Sequence, residues 1–182
     1  LTIGSQENNT KSHQLQYAHL VKKTWLFSFL GQTNESASVA ENYGIKNYTI
    51  EGYGLSPKIS YIFSRNASWD IFYEYKGKEN RIGEKENLNQ QRFGTSFNYA
   101  SEKSFTANGE FSLYKNDFTG NQLSPAAYQM LEGLQAGQNL TWRLLLQKNL
   151  TQYLDVNVSY QGRKSETSKA IHTGSVQLRA YF

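Results

Sequence analysis

The chain has 182 residues and a mass of 20.8 kDa, the size of about one domain. Hydrophobic residues make up 38% and charged residues 19%, both below globular norms, while aromatic residues reach 14%. The lack of cysteine excludes disulfide scaffolds, cysteine-ligated metal sites and thiol catalysis, and no apolar run approaches the ~18 residues of a membrane helix. The net charge of +4 comes without a basic run, so no nucleic-acid partner is expected.

Period-two alternation dominates the chain and predicts nine strands. They fall near 13–21, 24–31, 47–63, 68–76, 89–100, 103–115, 137–148, 150–163 and 170–182. In the first pair, Tyr17, His19 and Val21 alternate before a turn, then Trp25, Phe27 and Phe29 after it. Leu55, Ile59, Tyr61 and Phe63 oppose Ser56, Lys58 and Ser60. Trp69, Ile71, Tyr73 and Tyr75 oppose Asp70, Glu74 and Lys76, with Phe72 breaking the polar face. Phe93, Phe97 and Tyr99 oppose Arg92, Ser96 and Asn98. Phe105, Phe111 and Leu113 oppose Thr106, Glu110 and Ser112. Leu140, Trp142, Leu144 and Leu146 oppose Asn139, Thr141, Arg143 and Gln147. Leu150, Leu154, Val156 and Val158 share one face, and Asp155, Asn157, Ser159 and Gln161 the other. In the last strand Val176, Leu178 and Ala180 oppose Ser175, Gln177 and Arg179.

Short and long connections alternate strictly. The short ones lie near Val21–Thr24, Ser64–Ser68, Ala100–Lys103 and Lys148–Thr151. The long ones are Gly4–Ser12, Gln32–Lys46, Gly77–Leu88 and Asn116–Gly137, and a medium one is Lys164–Lys169. Charged residues recur on the polar face of nearly every strand. In a soluble barrel they would lie in an apolar core at several kcal/mol for each unpaired charge. A membrane barrel places them in a polar lumen. A soluble sandwich with a wet polar face is the alternative. The expected class is therefore all-β: an antiparallel transmembrane β barrel with short periplasmic turns and long outer loops.

The final residues resemble the C-terminal recognition signal of outer-membrane barrel proteins, with Phe182 last and Ala180, Leu178, Val176 and Gly174 at alternate positions before it. The resemblance implies the bacterial outer membrane, with its lipid and the barrel-assembly machinery as partners. The segments MLEGLQAGQNLTW (Met130–Trp142), RKSETSKAIHTGSVQLRAYF (Arg163–Phe182) and NYTIEGYGLSPKISY (Asn47–Tyr61) resemble the C-terminal parts of large outer-membrane barrel proteins of the Bacteroidota. That resemblance implies transport, secretion or a surface protein assembly. The ending differs from that expected of TonB-dependent importers.

Nine strands is an odd number, where single-chain bacterial barrels are usually even. The first strand is expected to follow a polar loop, Ser5–Ser12, with Leu1–Gly4 as the tail of another upward strand. The expectation is the C-terminal part of a larger barrel, paired with its N-terminal part or with partner outer-membrane proteins. The alternative is a small complete barrel, structural or adhesive, with Tyr17–Phe29 as one long strand. Lys22 and Lys23 oppose it, because mid-bilayer lysine on the lipid face costs about 2–4 kcal/mol.

No catalytic, metal or cofactor residues are expected, and the chain is read as non-enzymatic. His13, His19 and His172 form no ligand pair. A set of His172, Ser159 or Ser175, and Asp155 can be drawn, with nothing specific to support it. Asn-x-Ser/Thr triplets fall partly on strands, which disfavours glycosylation. The loop Asn116–Gly137 carries the best local signal: Ser124 and Pro125 read as N-cap and first helical residue, and Gly133 as the stop. Ala126–Glu132 would form about two turns, with Tyr128, Met130, Leu131 and Leu134 either packed as a cap over the barrel mouth or offered to a docking partner.

Overall fold

The computed structural model describes residues 5–101 and 104–181. Nine antiparallel strands form one sheet in sequence order: β1 Gln6–Val21, β2 Trp25–Ala40, β3 Tyr48–Ser64, β4 Ala67–Asn80, β5 Asn87–Ala100, β6 Phe105–Thr119, β7 Gly137–Thr151, β8 Leu154–Ser165 and β9 Ile171–Ala180. Among the described residues one α-helix, α1 at Pro125–Leu131, lies between β6 and β7, and a 3-10 turn at Gly44–Lys46 lies between β2 and β3. Among the described residues β1 pairs only with β2 and β9 only with β8, so the sheet is open.

The strands run further than the alternation suggests. Ser5–Ser12 is not a loop beyond its first residue, because β1 starts at Gln6 and pairs with β2 through Gln6↔Ala40. Most of Gln32–Lys46 and part of Gly77–Leu88 are likewise strand. In these stretches both faces carry polar residues, so the side-chain period vanishes while the backbone ladder continues. A sixteen-residue strand is about 53 Å long, whereas roughly 9–11 tilted residues cross a bilayer. The expected tail at Leu1–Gly4 and the terminal Phe182 lie outside the described residues, as do Glu102 and Lys103 of one short turn.

Two short turns show their chemistry. Lys22 and Lys23 both have positive φ, 51° and 59°, and the Thr24 N–H donates to Val21 O at 3.1 Å. This geometry forms a two-residue hairpin turn that matches strand twist. It rules out Tyr17–Phe29 as one continuous strand. At the other turn, β7 continues to Thr151 and the chain reverses at Gln152–Tyr153, later than the expected Lys148–Thr151. A register shift between Asn149 and Thr151 displaces the alternation there, which hides the turn from a period-two reading.

The register sorts side chains onto two faces. One carries Phe27 and Phe29 of β2, Leu55 and Ile59 of β3, Trp69 and Ile71 of β4, Phe111 and Leu113 of β6, and Val176 and Leu178 of β9, all well exposed. Toward the ends away from the short turns this face becomes charged at matching levels. Glu35 opposes Glu51, which opposes Glu79. Lys11 sits 3.7 Å from Glu35, and Arg81 bridges Glu51 at 2.8 Å and Glu79 at 2.7 Å. The apolar surface is thus a band of limited height.

Candidate functional site: the charged sheet face and its helical cap

The opposite face is polar and closely hydrogen-bonded. The Asp70 carboxylate accepts from Ser96 Oγ at 3.1 Å and Asn98 Nδ2 at 3.3 Å. Arg92 donates to Glu110 at 2.7 Å and reaches Glu74 at 3.4 Å. Its guanidinium lies 4.7 Å from the Phe72 ring centre and 5.3 Å from that of Tyr114, near enough for cation–π attraction to both. Phe72, the apparent exception on this face, lies over Gly94 directly across the ladder. A Cβ there would fall 2.3 Å from the Phe72 ring, so only glycine admits the aromatic. Trp142 covers Gly162 in the same way on the apolar face, where a Cβ would meet the indole at 2.2 Å.

Helix α1 sits on the polar face and carries most of the buried apolar core. Ala126, Met130 and Leu131 pack with Ile50 of β3 and Leu88 of β5, flanked by Tyr48 and Phe118. Ser124 caps the helix by accepting from Ala127 N–H at 3.0 Å, with Pro125 in the first turn, as the sequence predicts. The helix ends one residue earlier than expected. Glu132 takes the left-handed conformation, φ 55°, and its carboxylate meets Lys78 at 2.7 Å and Lys76 at 3.5 Å. Lys78 also donates to Met130 O at 2.9 Å, satisfying a carbonyl left open at the helix end. Asn116 and Asn139 each donate to Gln135 O, at 2.8 and 2.7 Å, and fix the descending segment.

Two loop carboxyls are tuned by this packing. Glu86 is 2% exposed. Burial alone would push its carboxyl up, but hydrogen bonds from Ser124, Asn80 and its own backbone amide outweigh burial and hold it below the usual carboxylate range. Glu132 follows the same balance: burial acts upward, and the charges and hydrogen bonds of Lys78 and Lys76 bring it down.

The four loop residues named from the sequence separate. Met130 and Leu131 are buried against the sheet and are unavailable to a partner, because the polar face supplies an apolar patch, Ile50 and Leu88, for them to cover. Tyr128 is 73% exposed, and Leu134 is half-buried. Gly174, Val176, Leu178 and Ala180 share one face of β9 and are all exposed; Phe182 lies outside the described residues. His172 cannot meet Ser159 or Ser175. The serines bond each other at 2.8 Å on the polar face, whereas His172 bonds the Tyr160 hydroxyl at 2.7 Å on the apolar face. Asp155 accepts instead from the Tyr181 hydroxyl at 3.1 Å. The sequence reading missed the clustering of Arg92, Glu110, Arg143 and Arg163. Their polar-face parity was visible, but which charges become neighbours depends on register.

No family model matches the chain, and no curated protein matches it by sequence. Among solved structures, the chain is similar to the NanC porin, with 13% identity, a TM-score of 0.48 and coverage of 98% of each chain. It is also similar to the transport unit of the autotransporter AIDA-I from Escherichia coli, with 11% identity, a TM-score of 0.34, and coverage of 98% of this chain and 86% of that one. Neither likeness identifies a solute, a cargo or a family for this chain.

Proposed function

We propose that the chain forms part of the wall of a bacterial outer-membrane β barrel, the C-terminal portion of a larger one, serving transport, secretion or a surface assembly. The observation that carries this reading is the division of the sheet. One face presents an exposed apolar band that stops at a common level under charged residues, and the other presents a charged, hydrogen-bonded surface with a helix over it. Water offers no reason to expose Phe27, Ile59, Ile71, Phe111 and Val176 together; hydrocarbon does. Outer-membrane lipid and the barrel-assembly machinery are the partners this implies. The charged face serves binding or passage and not catalysis.

The larger-barrel part of the reading is supported by the strand count. Nine antiparallel strands leave β1 and β9 running in the same direction. Closing them on each other would require a parallel seam, and leaving them open in hydrocarbon would cost several kcal/mol for each unpaired backbone group. An odd number of further strands closes the sheet with antiparallel pairs throughout. The second reading, a small structural or adhesive barrel, draws on the exposed Leu123 just before α1 and Tyr128 on it. Fractionation of a Gram-negative host producing this chain together with the rest of its barrel tests the class: the protein should resist urea extraction from the outer-membrane fraction. Recovery as a soluble periplasmic protein would overturn it. Conductance in planar bilayers then separates a transporting barrel from an adhesive one.

A further inference from the structure

Two arginines of the charged face that pair with no carboxylate among the described residues, Arg143 and Arg163, line one groove. This groove, of about 740 Å³, runs beside the end of α1 over β6, β7 and β8. Its two carboxylates are already engaged, Glu110 by Arg92 at 2.7 Å and Glu132 by Lys78 at 2.7 Å. Arg143 lines the same groove directly opposite Glu110 on the β6–β7 ladder, but Glu110 pairs with Arg92 and Arg143 makes no hydrogen bond or ion pair with any described residue. Arg163 gives one guanidinium N–H to Gly133 O at 3.0 Å and pairs with no carboxylate among the described residues.

The register brings these two arginines together with further donors. Arg143 opposes Gln161, which opposes Thr173, and Thr141 opposes Arg163. Arg143 and Arg163 are therefore diagonal neighbours on one face, with backbones roughly 7–8 Å apart. Two guanidinium forks at that spacing can converge on a single planar or tetrahedral oxyanion, each offering paired N–H donors. Gln161 and Thr173 add neutral donors at the same level. A lysine pair would supply the charge without the fork.

We propose that Arg143 and Arg163, with Gln161 and Thr173, form a binding site for the oxyanion group of a small solute, a carboxylate or a phosphate. The site deepens the transport reading by giving the polar face a solute class. Binding itself needs no passage across a membrane, so it can fail or succeed independently of that reading.

The test is calorimetric titration of the detergent-solubilised full chain at low ionic strength, with inorganic phosphate and, separately, with acetate. Saturable binding of at least one probe is expected, and the probe that binds tells phosphate from carboxylate. R143Q and R163Q should each weaken it roughly tenfold or more. R143K, which keeps the charge and loses the fork, should recover only part of the loss. R179Q removes a cation from the same face of β9, away from the groove, and should change affinity less than about twofold. β-Sheet circular dichroism confirms that each variant is folded. Absence of saturable binding to the unsubstituted chain, full affinity in R143Q, or equal weakening by R179Q would overturn the site.

Discussion

Ser124 Oγ accepts from Ala127 N–H and donates to the buried Glu86 carboxylate, so one hydroxyl both starts α1 and ties it to the β4–β5 loop 38 positions earlier. Asn80 holds the other carboxylate oxygen at 2.7 Å. Substituting Ser124→Ala removes the cap and one of the acceptor's partners together. The cap alone is worth about 1 kcal/mol. Hydrogen exchange by mass spectrometry should show faster exchange across 124–132 by at least roughly fivefold, with the strand ladders of β6 and β7 unchanged. Equal protection in the variant would show that packing of Met130 and Leu131 alone holds the helix.

The same cap should loosen in acid. Glu86 and Glu132 are held below the ordinary carboxyl value of 4.5 in the folded state. Groups depressed in this way add stability that is complete above the unfolded value and lost as pH falls through the lower folded ones. Protection of 124–132 should therefore be constant from neutral pH down to about 5 and fall below about 4.5. In the double variant Glu86→Gln, Glu132→Gln the fall should flatten. An unchanged pH profile in the double variant would assign the acid sensitivity to other groups.

The two faces of the sheet make opposite predictions for one substitution. Val156→Lys, Leu144→Lys and Phe111→Lys place a charge in the apolar band, at about 2–4 kcal/mol each near mid-bilayer. Asn157→Lys and Asn108→Lys place it on the polar face of adjoining register positions. Folding into lipid vesicles, read by heat-modifiable gel migration, should fail or slow for the first three and proceed for the last two. Equal behaviour of both sets would remove the basis for a lipid-facing band.

The turn at Lys22–Lys23 stores local strain. Both residues occupy the left-handed region without being glycine or asparagine. Lys22→Asn with Lys23→Gly should relieve about 1 kcal/mol per position, raising the urea midpoint of unfolding in detergent. A lower midpoint would mean that the lysine side chains contribute more through their surroundings than the backbone loses.

Much of this protein was legible in the linear chain because its dominant signals are local. Alternation at Trp25–Phe29 or Val176–Ala180 reports a face whatever the partner strand is, and Ser124–Pro125 reports a helix start through the needs of its own first N–H groups. Where both faces are polar, as at Gln6–Ser12, the side chains carry no period and only the backbone pairing of the folded sheet reveals strand. The turn at Gln152–Tyr153 was displaced by an irregularity in the β7–β8 ladder. Register decided the rest. It set Phe72 over Gly94, put His172 and Ser175 on opposite faces, and made Arg143 and Arg163 diagonal neighbours while Glu110, opposite Arg143, pairs with Arg92. Packing buried Met130 and Leu131 of α1 against the sheet, because Ile50 and Leu88, far apart in the chain, meet only when strands β3 to β5 are laid side by side.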